Sequence, residues 1–131
     1  MHVLAPIDGS DCSFAALEFA TDLAAKFDAD LTAVHMTEFE DRATEKIMKR
    51  ARRILSEAGV DGELVVDTHS DLSSVKASTH IGKHILEFAE EGGYDHIVMG
   101  RHGGGRLEKA LLGSCSESVI KHAEVPVTFV P

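Results

Sequence analysis

The sequence predicts an α/β protein: a single doubly wound domain in which four helices flank a five-stranded parallel sheet. Three observations predict it. β-Branched apolar runs alternate with amphipathic stretches from one end of the chain to the other. The connections between them are short, so right-handed crossovers lay each strand parallel to the last and leave helices on both faces. Finally, 131 residues at 44% hydrophobic and 27% charged suffice for one core and are too few for a second domain.

The first strand is expected at about His2–Ile7, and Asp8-Gly9-Ser10 turns the chain into a helix over about Ser13–Phe27. Phe14, Leu17, Ala20, Leu23, Ala24 and Phe27 share one face of that helix. Leu31–Thr37 reads as the second strand. The second helix, about Asp41–Ala58, carries Ile47, Ala51, Ile54, Leu55 and Ala58 at helical spacing and stops at Gly59. Glu63–Thr68 is the third strand, and the polar stretch His69–Ser78 reads as a loop with room for one turn of helix. The third helix, about Thr79–Glu91, turns Ile81, Ile85, Phe88 and Ala89 inward and is stopped by Gly92-Gly93. His96–Met99 is the fourth strand, followed by a glycine-rich loop over Gly100–Leu112. Ser114-Cys115-Ser116-Glu117 reads as a capping box that opens a short helix to about Ala123, and Val125–Val130 closes the sheet.

Composition narrows the function. Thirteen Lys and Arg against twenty-two Asp and Glu give a formal charge of −9, which opposes bulk attraction to nucleic acid or anionic membrane. With no Trp and one Tyr, stacking on bases is poorly supplied. No apolar run approaches the ~18 residues of a membrane span and no signal peptide is evident, so a cytoplasmic protein is expected. Cys12 and Cys115 do not make a disulfide framework. Lys46, Lys49, Arg50, Arg52 and Arg53 form a basic stripe on the second helix, read as a solvated face.

In a doubly wound sheet, ligands bind beyond the strand carboxyl ends at the point where strand order reverses. There the sequence reads Gly100-Arg101-His102-Gly103, then nine residues, then Gly113-Ser114 at a helix start. Glycines let backbone amides approach an anion, and a helix start adds amides and partial positive charge. Arg101, Arg106 and Lys109 against Glu108 make the loop locally basic.

Gly100, Gly103, Gly113 and Ser114 reproduce the spacing of the nucleotide-binding members of the universal stress protein family, which this chain resembles. Val3-Leu4-Ala5-Pro6-Ile7-Asp8-Gly9-Ser10 is similar to the family's opening strand and turn, and Val125-Pro126-Val127-Thr128-Phe129-Val130 to its closing strand. Gly104 and Arg106 stand where many relatives carry a basic residue and a glycine. The resemblance implies strand order 3-2-1-4-5, a homodimer formed through Val127–Val130, and ATP with Mg²⁺ as ligand. It puts Pro6 and Asp8 at the nucleotide, with Asp8 at the ribose or the magnesium, and the Val34-His35 backbone near adenine. Met99, Gly100, Arg101, His102 and Gly103 then line the nucleotide, and Gly113, Ser114, Cys115 and Ser116 face the phosphates.

The function expected is a stress-response regulator that switches with bound nucleotide and acts on unidentified protein partners. Little hydrolysis is expected, because no Walker lysine, arginine finger or evident base accompanies the loop. The alternative is a nucleotide-free dimeric interaction module of the same fold. Cys12 and Cys115, both at predicted helix starts where a dipole lowers thiol pKa, are either a redox pair or two inert small residues. His80 and His84, spaced i and i+4, lack a zincin Glu and an evident third ligand, and read as two solvated histidines rather than a zinc site.

Overall fold

The strand β1, His2–Pro6, is apolar almost throughout because both of its faces are covered, as in the centre of a parallel sheet. In the computed structural model, which describes residues 1–73, 77–102 and 112–131, β1 pairs in parallel with both β2 (Asp30–Thr37) and β4 (His96–Gly100). Beyond them lie β3 (Gly62–Thr68) and β5 (Val127–Val130), so the sheet runs β3-β2-β1-β4-β5 with every neighbour parallel. The expected order holds, and the order reverses between β1 and β4.

Alternate side chains feed two separate cores. Val3, Ala5, Leu31, Ala33 and Val98 pack on Phe14, Leu17 and Ala20 of α1 (Asp11–Phe27) and on Met48, Ala51 and Leu55 of α2 (Arg42–Ala58). On the other face Leu4, Val34, Ile97 and Met99 meet Ile85 and Ala89 of α3 (Ala77–Glu91) and Val119 of α4 (Ser114–His122). A 3-10 turn over Ser70–Ser73 occupies the stretch read as a loop with room for one turn. Among the described residues no helix is long and apolar enough to cross a membrane.

Four details differ from expectation. Helix α1 begins at Asp11, two residues early, because Ser10 caps it by accepting from the Ser13 amide at 3.1 Å. Phe27 is 66% exposed: α1 ends where Asp28 turns left-handed at φ 50°, level with the amino-terminal edge at which β1 and β2 begin, beyond the packed face. Strand β5 starts at Val127, since Pro126 has no amide for the ladder, although its carbonyl still accepts from Ile97 at 3.0 Å. Most consequentially, α4 has Gly113 as its N-cap, with no side-chain cap bond, so the Ser114–Glu117 capping box does not form. Ser114 is the first helical residue, and Glu117 instead pairs with Lys121 at 3.0 Å. The capping box that exists is at α2, where Asp41 accepts from the Thr44 amide at 3.0 Å and Thr44 Oγ1 lies 3.3 Å from the Asp41 amide.

Those bonds, led by the Thr44 amide, hold the Asp41 carboxyl below the usual carboxylate range. A carboxyl depressed on folding contributes stability above its unfolded pKa and loses it as pH falls through the folded value. Thermal midpoints of wild type and Asp41→Asn, which keeps the cap acceptor, should therefore differ above about pH 4 and converge in stronger acid. A constant difference at all pH values would deny the carboxylate that role.

Candidate functional site

At the end of β1 the chain stays bound to β2 for one residue past Pro6: the Ile7 amide donates to Val34 O at 2.8 Å and its carbonyl accepts from His35 Nδ1 at 2.8 Å. Pro6, Val34 and His35 are buried, and the carbonyl partner makes Nδ1 of His35 a hydrogen-bond donor. The turn that follows needs a glycine. Gly9 has φ +88°, and a Cβ there would lie 2.9 Å from Ile47 Cδ1. Asp8 is exposed, and one of its carboxylate oxygens accepts from the Ser10 amide at 2.9 Å while its own amide donates to Ser13 Oγ at 3.3 Å.

The end of β4 is the tightest point of the site. A Cβ on Gly100 would lie 2.8 Å from Cys12 Sγ and 3.1 Å from the Cys12 carbonyl carbon, so the first turn of α1 rests directly on the strand. Ser116, buried in α4, donates its hydroxyl to Gly100 O at 2.9 Å. Val130 O, at the end of β5, accepts from the Arg101 amide at 2.8 Å and from Cys12 Sγ at 3.3 Å. The glycine loop leaves and returns at one place, because Gly113 N donates to Arg101 O at 2.9 Å. Helix α4 then starts beside β4, with the amides of Ser114, Cys115 and Ser116 preceding its first intrahelical bond, Glu117 N to Gly113 O. Arg101 Nε is buried and has no hydrogen-bond partner among the described residues.

The residues picked from sequence thus come together around the switch point: Pro6 at the end of β1 and Asp8 after it, Met99, Gly100, Arg101 and His102 at β4, and Gly113, Ser114, Cys115 and Ser116 at α4. Gly103 lies outside the described residues. The Ser116 hydroxyl serves the fold. Cys115 departs from the expected lowered pKa: burial, and then the negative charge of Asp8, push its thiol up to about 12. Both cysteines are free thiols. The Asp8 influence also shows that the β1 turn and the α4 start share one electrostatic environment.

Sequence reasoning missed two features. Cys12 supplies contacts to β4 and β5 that only the folded chain reveals. The histidines of α3 are not solvated ornaments: His84 is only 12% exposed, stacks on His69 with ring centroids 3.5 Å apart, and meets Asp71 at 2.9 Å. The signal was the pair His69 and Asp71 in a stretch read as loop. In the basic stripe, Arg50 is engaged as well, 3.2 Å from Asp11 and over the Phe14 ring at 4.2 Å.

Comparison with known proteins gives one family. The model of the "Universal stress protein family" matches residues 1–131. The universal stress protein MJ0531 of Methanocaldococcus jannaschii is 35% identical over 136 residues, covering 98% of this chain and 80% of that protein. Among solved structures, a universal stress protein in complex with cAMP superposes with a TM-score of 0.77 at 24% identity, over 100% of this chain and 96% of the other. The universal stress protein from Archaeoglobus fulgidus in complex with dAMP gives 0.76 at 21% identity, over 100% and 98%. These last two likenesses establish the fold.

Two outcomes follow from the packing at Gly100 and Cys115. Gly100→Ala forces the start of α1 away from β4 and should cost about 1–3 kcal/mol, a fall of roughly 4–12 °C in thermal midpoint; an unchanged midpoint would show that α1 yields freely. With its thiol near 12, Cys115 should resist iodoacetamide at pH 8 by about a thousandfold relative to an unperturbed thiol, becoming reactive only on unfolding. Rapid alkylation in the native protein, mapped by mass spectrometry, would contradict the burial argument.

Proposed function

This chain belongs to the universal stress protein family, and from that premise we propose that it binds an adenine nucleotide, ATP with Mg²⁺, at the carboxyl ends of β1 and β4. Binding biases a homodimer between two surfaces offered to protein partners. The observation that carries the reading is the pinned mouth of the glycine loop, where Gly113 N meets Arg101 O and the uncapped start of α4 points its first amides at the switch point. The buried Arg101 Nε, without a hydrogen-bond partner among the described residues, supplies a cationic donor at the same place. That two proteins of this fold hold cAMP and dAMP supports an adenine nucleotide.

The chemistry of Asp8 fits magnesium, which takes one or two carboxylates and completes its shell with phosphate oxygens and water. One Asp8 oxygen holds the Ser10 amide and the other remains for the ion. When bound, the ion neutralises phosphate charge; Arg101 and the α4 amides orient the same phosphates. Residues of this chain hold the nucleotide rather than cleave it. Strand β5 lies at the sheet edge with Val127–Val130 half-buried, and a second copy laid along it completes a homodimer.

A nucleotide-free module is the competing reading, favoured by the bonds that engage Ser116 Oγ and Asp8 Oδ1 within the fold. Thermal midpoints with ~1 mM Mg-ATP decide between them: a dissociation constant near ~10 μM adds ~2.7 kcal/mol, a rise of roughly 10 °C. Asp8→Asn keeps the turn acceptor and should leave the ligand-free midpoint in place while weakening Mg-ATP roughly tenfold. No rise in the wild type, and no nucleotide released from denatured protein, would favour the module. Multiple-turnover phosphate release within minutes would refute the holding role.

A further inference from the structure

The carboxyl end of β3 gathers a second set of chemically active groups, two strands from β1. His69 follows β3, its amide bonded to Thr37 O at 3.0 Å; Asp71 lies in the 3-10 turn; His84 stands on α3. One ligand atom from each of these three lies within 4.8 Å of the other two. We propose that His69, Asp71 and His84 form a binding site for one divalent transition-metal ion, with Zn²⁺ as the best match.

The donor set supports this choice. Two imidazoles and a carboxylate suit a borderline cation, whereas calcium and magnesium take oxygen ligands. In a tetrahedral zinc site with bonds of about 2.0–2.2 Å, donors stand about 3.3–3.6 Å apart. His84 Nε2 and Asp71 Oδ1 are already at 2.9 Å, and the two imidazole rings, now stacked at 13°, turn about their side-chain torsions so that both in-plane lone pairs meet the ion.

Outer groups repeat the pattern that orients metal-bound histidines. His84 presents Nε2 to Asp71 while its other nitrogen, Nδ1, faces Glu87 Oε2 at 3.4 Å. That Nδ1 is buried and makes no hydrogen bond among the described residues, so a small movement toward Glu87 satisfies it. His69 Nε2 meets Asp67 Oδ2 at 2.8 Å. Such carboxylate partners fix the ring and raise its basicity. His80 borders the cluster, with Nδ1 2.9 Å from Asp71 O and 3.5 Å from Asp71 Oδ2, and becomes a fourth ligand or yields that place to water.

Charge also calls for a cation. Asp67, Asp71 and Glu87 converge here, and the nearby lysine, Lys83, is 71% exposed and 3.9 Å from Glu87. An ion here ties the end of β3 and the 3-10 turn to α3.

The test uses the full chain, freed of metal with chelator and without nucleotide. Zn²⁺ is titrated in competition with a chromophoric chelator, and Co²⁺ is added separately to read coordination from its visible absorption. The expected result is one equivalent of Zn²⁺ bound at about 1 μM or tighter, with intense tetrahedral Co²⁺ bands. His84→Gln and Asp71→Asn should each weaken it at least tenfold, while His122→Gln, on an exposed residue bonded within its own helix, leaves it unchanged. Because Asp71→Asn preserves shape, it decides the matter if His84→Gln fails to fold. No binding at ~100 μM Zn²⁺, binding indifferent to both substitutions, or an equal loss in His122→Gln would overturn the proposal.

Discussion

The missing side chain of Gly100 lets three elements meet at one point, and the candidate nucleotide site depends on that meeting. With hydrogen in place of Cβ, the first turn of α1 settles against β4 through Cys12, Ser116 reaches the Gly100 carbonyl from α4, and β5 ends close enough for Val130 O to take both the Arg101 amide and the Cys12 thiol. Interiors pack at crystal-like density, so a methyl group here would have to displace the Cys12 thiol and shift the backbone of a helix start with it. Because the strand end is held this firmly, whatever binds beyond it meets a preorganised surface.

The same clamp decides where α4 begins. Gly113 donates to Arg101 O, which leaves it extended at φ −72°, ψ 166° and makes it the N-cap. Ser114 is thereby drawn into the helix, its hydroxyl one position too late to form the expected box. A helix whose cap lacks a side-chain acceptor keeps its first amides for another anion, which is a weaker local solution and a better binding surface. At α2 Asp41 and Thr44 satisfy each other in the ordinary way.

The carboxyl edge of the sheet thus carries two unlike chemistries, separated by the strand order. Between β1 and β4 the helix starts and Arg101, whose Nε is buried, favour an anion; beyond β3 the carboxylates Asp67 and Asp71 and the neighbouring histidines favour a cation.

By itself the sequence determined the layered architecture. Alternating strand and helix periods, glycine stops at Gly59 and Gly92-Gly93, and short connections leave little choice but a parallel sheet covered on both faces, because these are local preferences and burial patterns. The spacing of Gly100, Gly103, Gly113 and Ser114 likewise marked the switch-point loop. What the sequence left undecided are features set by partners distant along the chain: the cap at Gly113 through Arg101, the protonated Cys115 through burial and Asp8, the exposure of Phe27 at the sheet margin, and the meeting of His69, Asp71 and His84. Each depends on free energies of packing and desolvation that exist only once separate elements share a volume, so tertiary structure alone decides them.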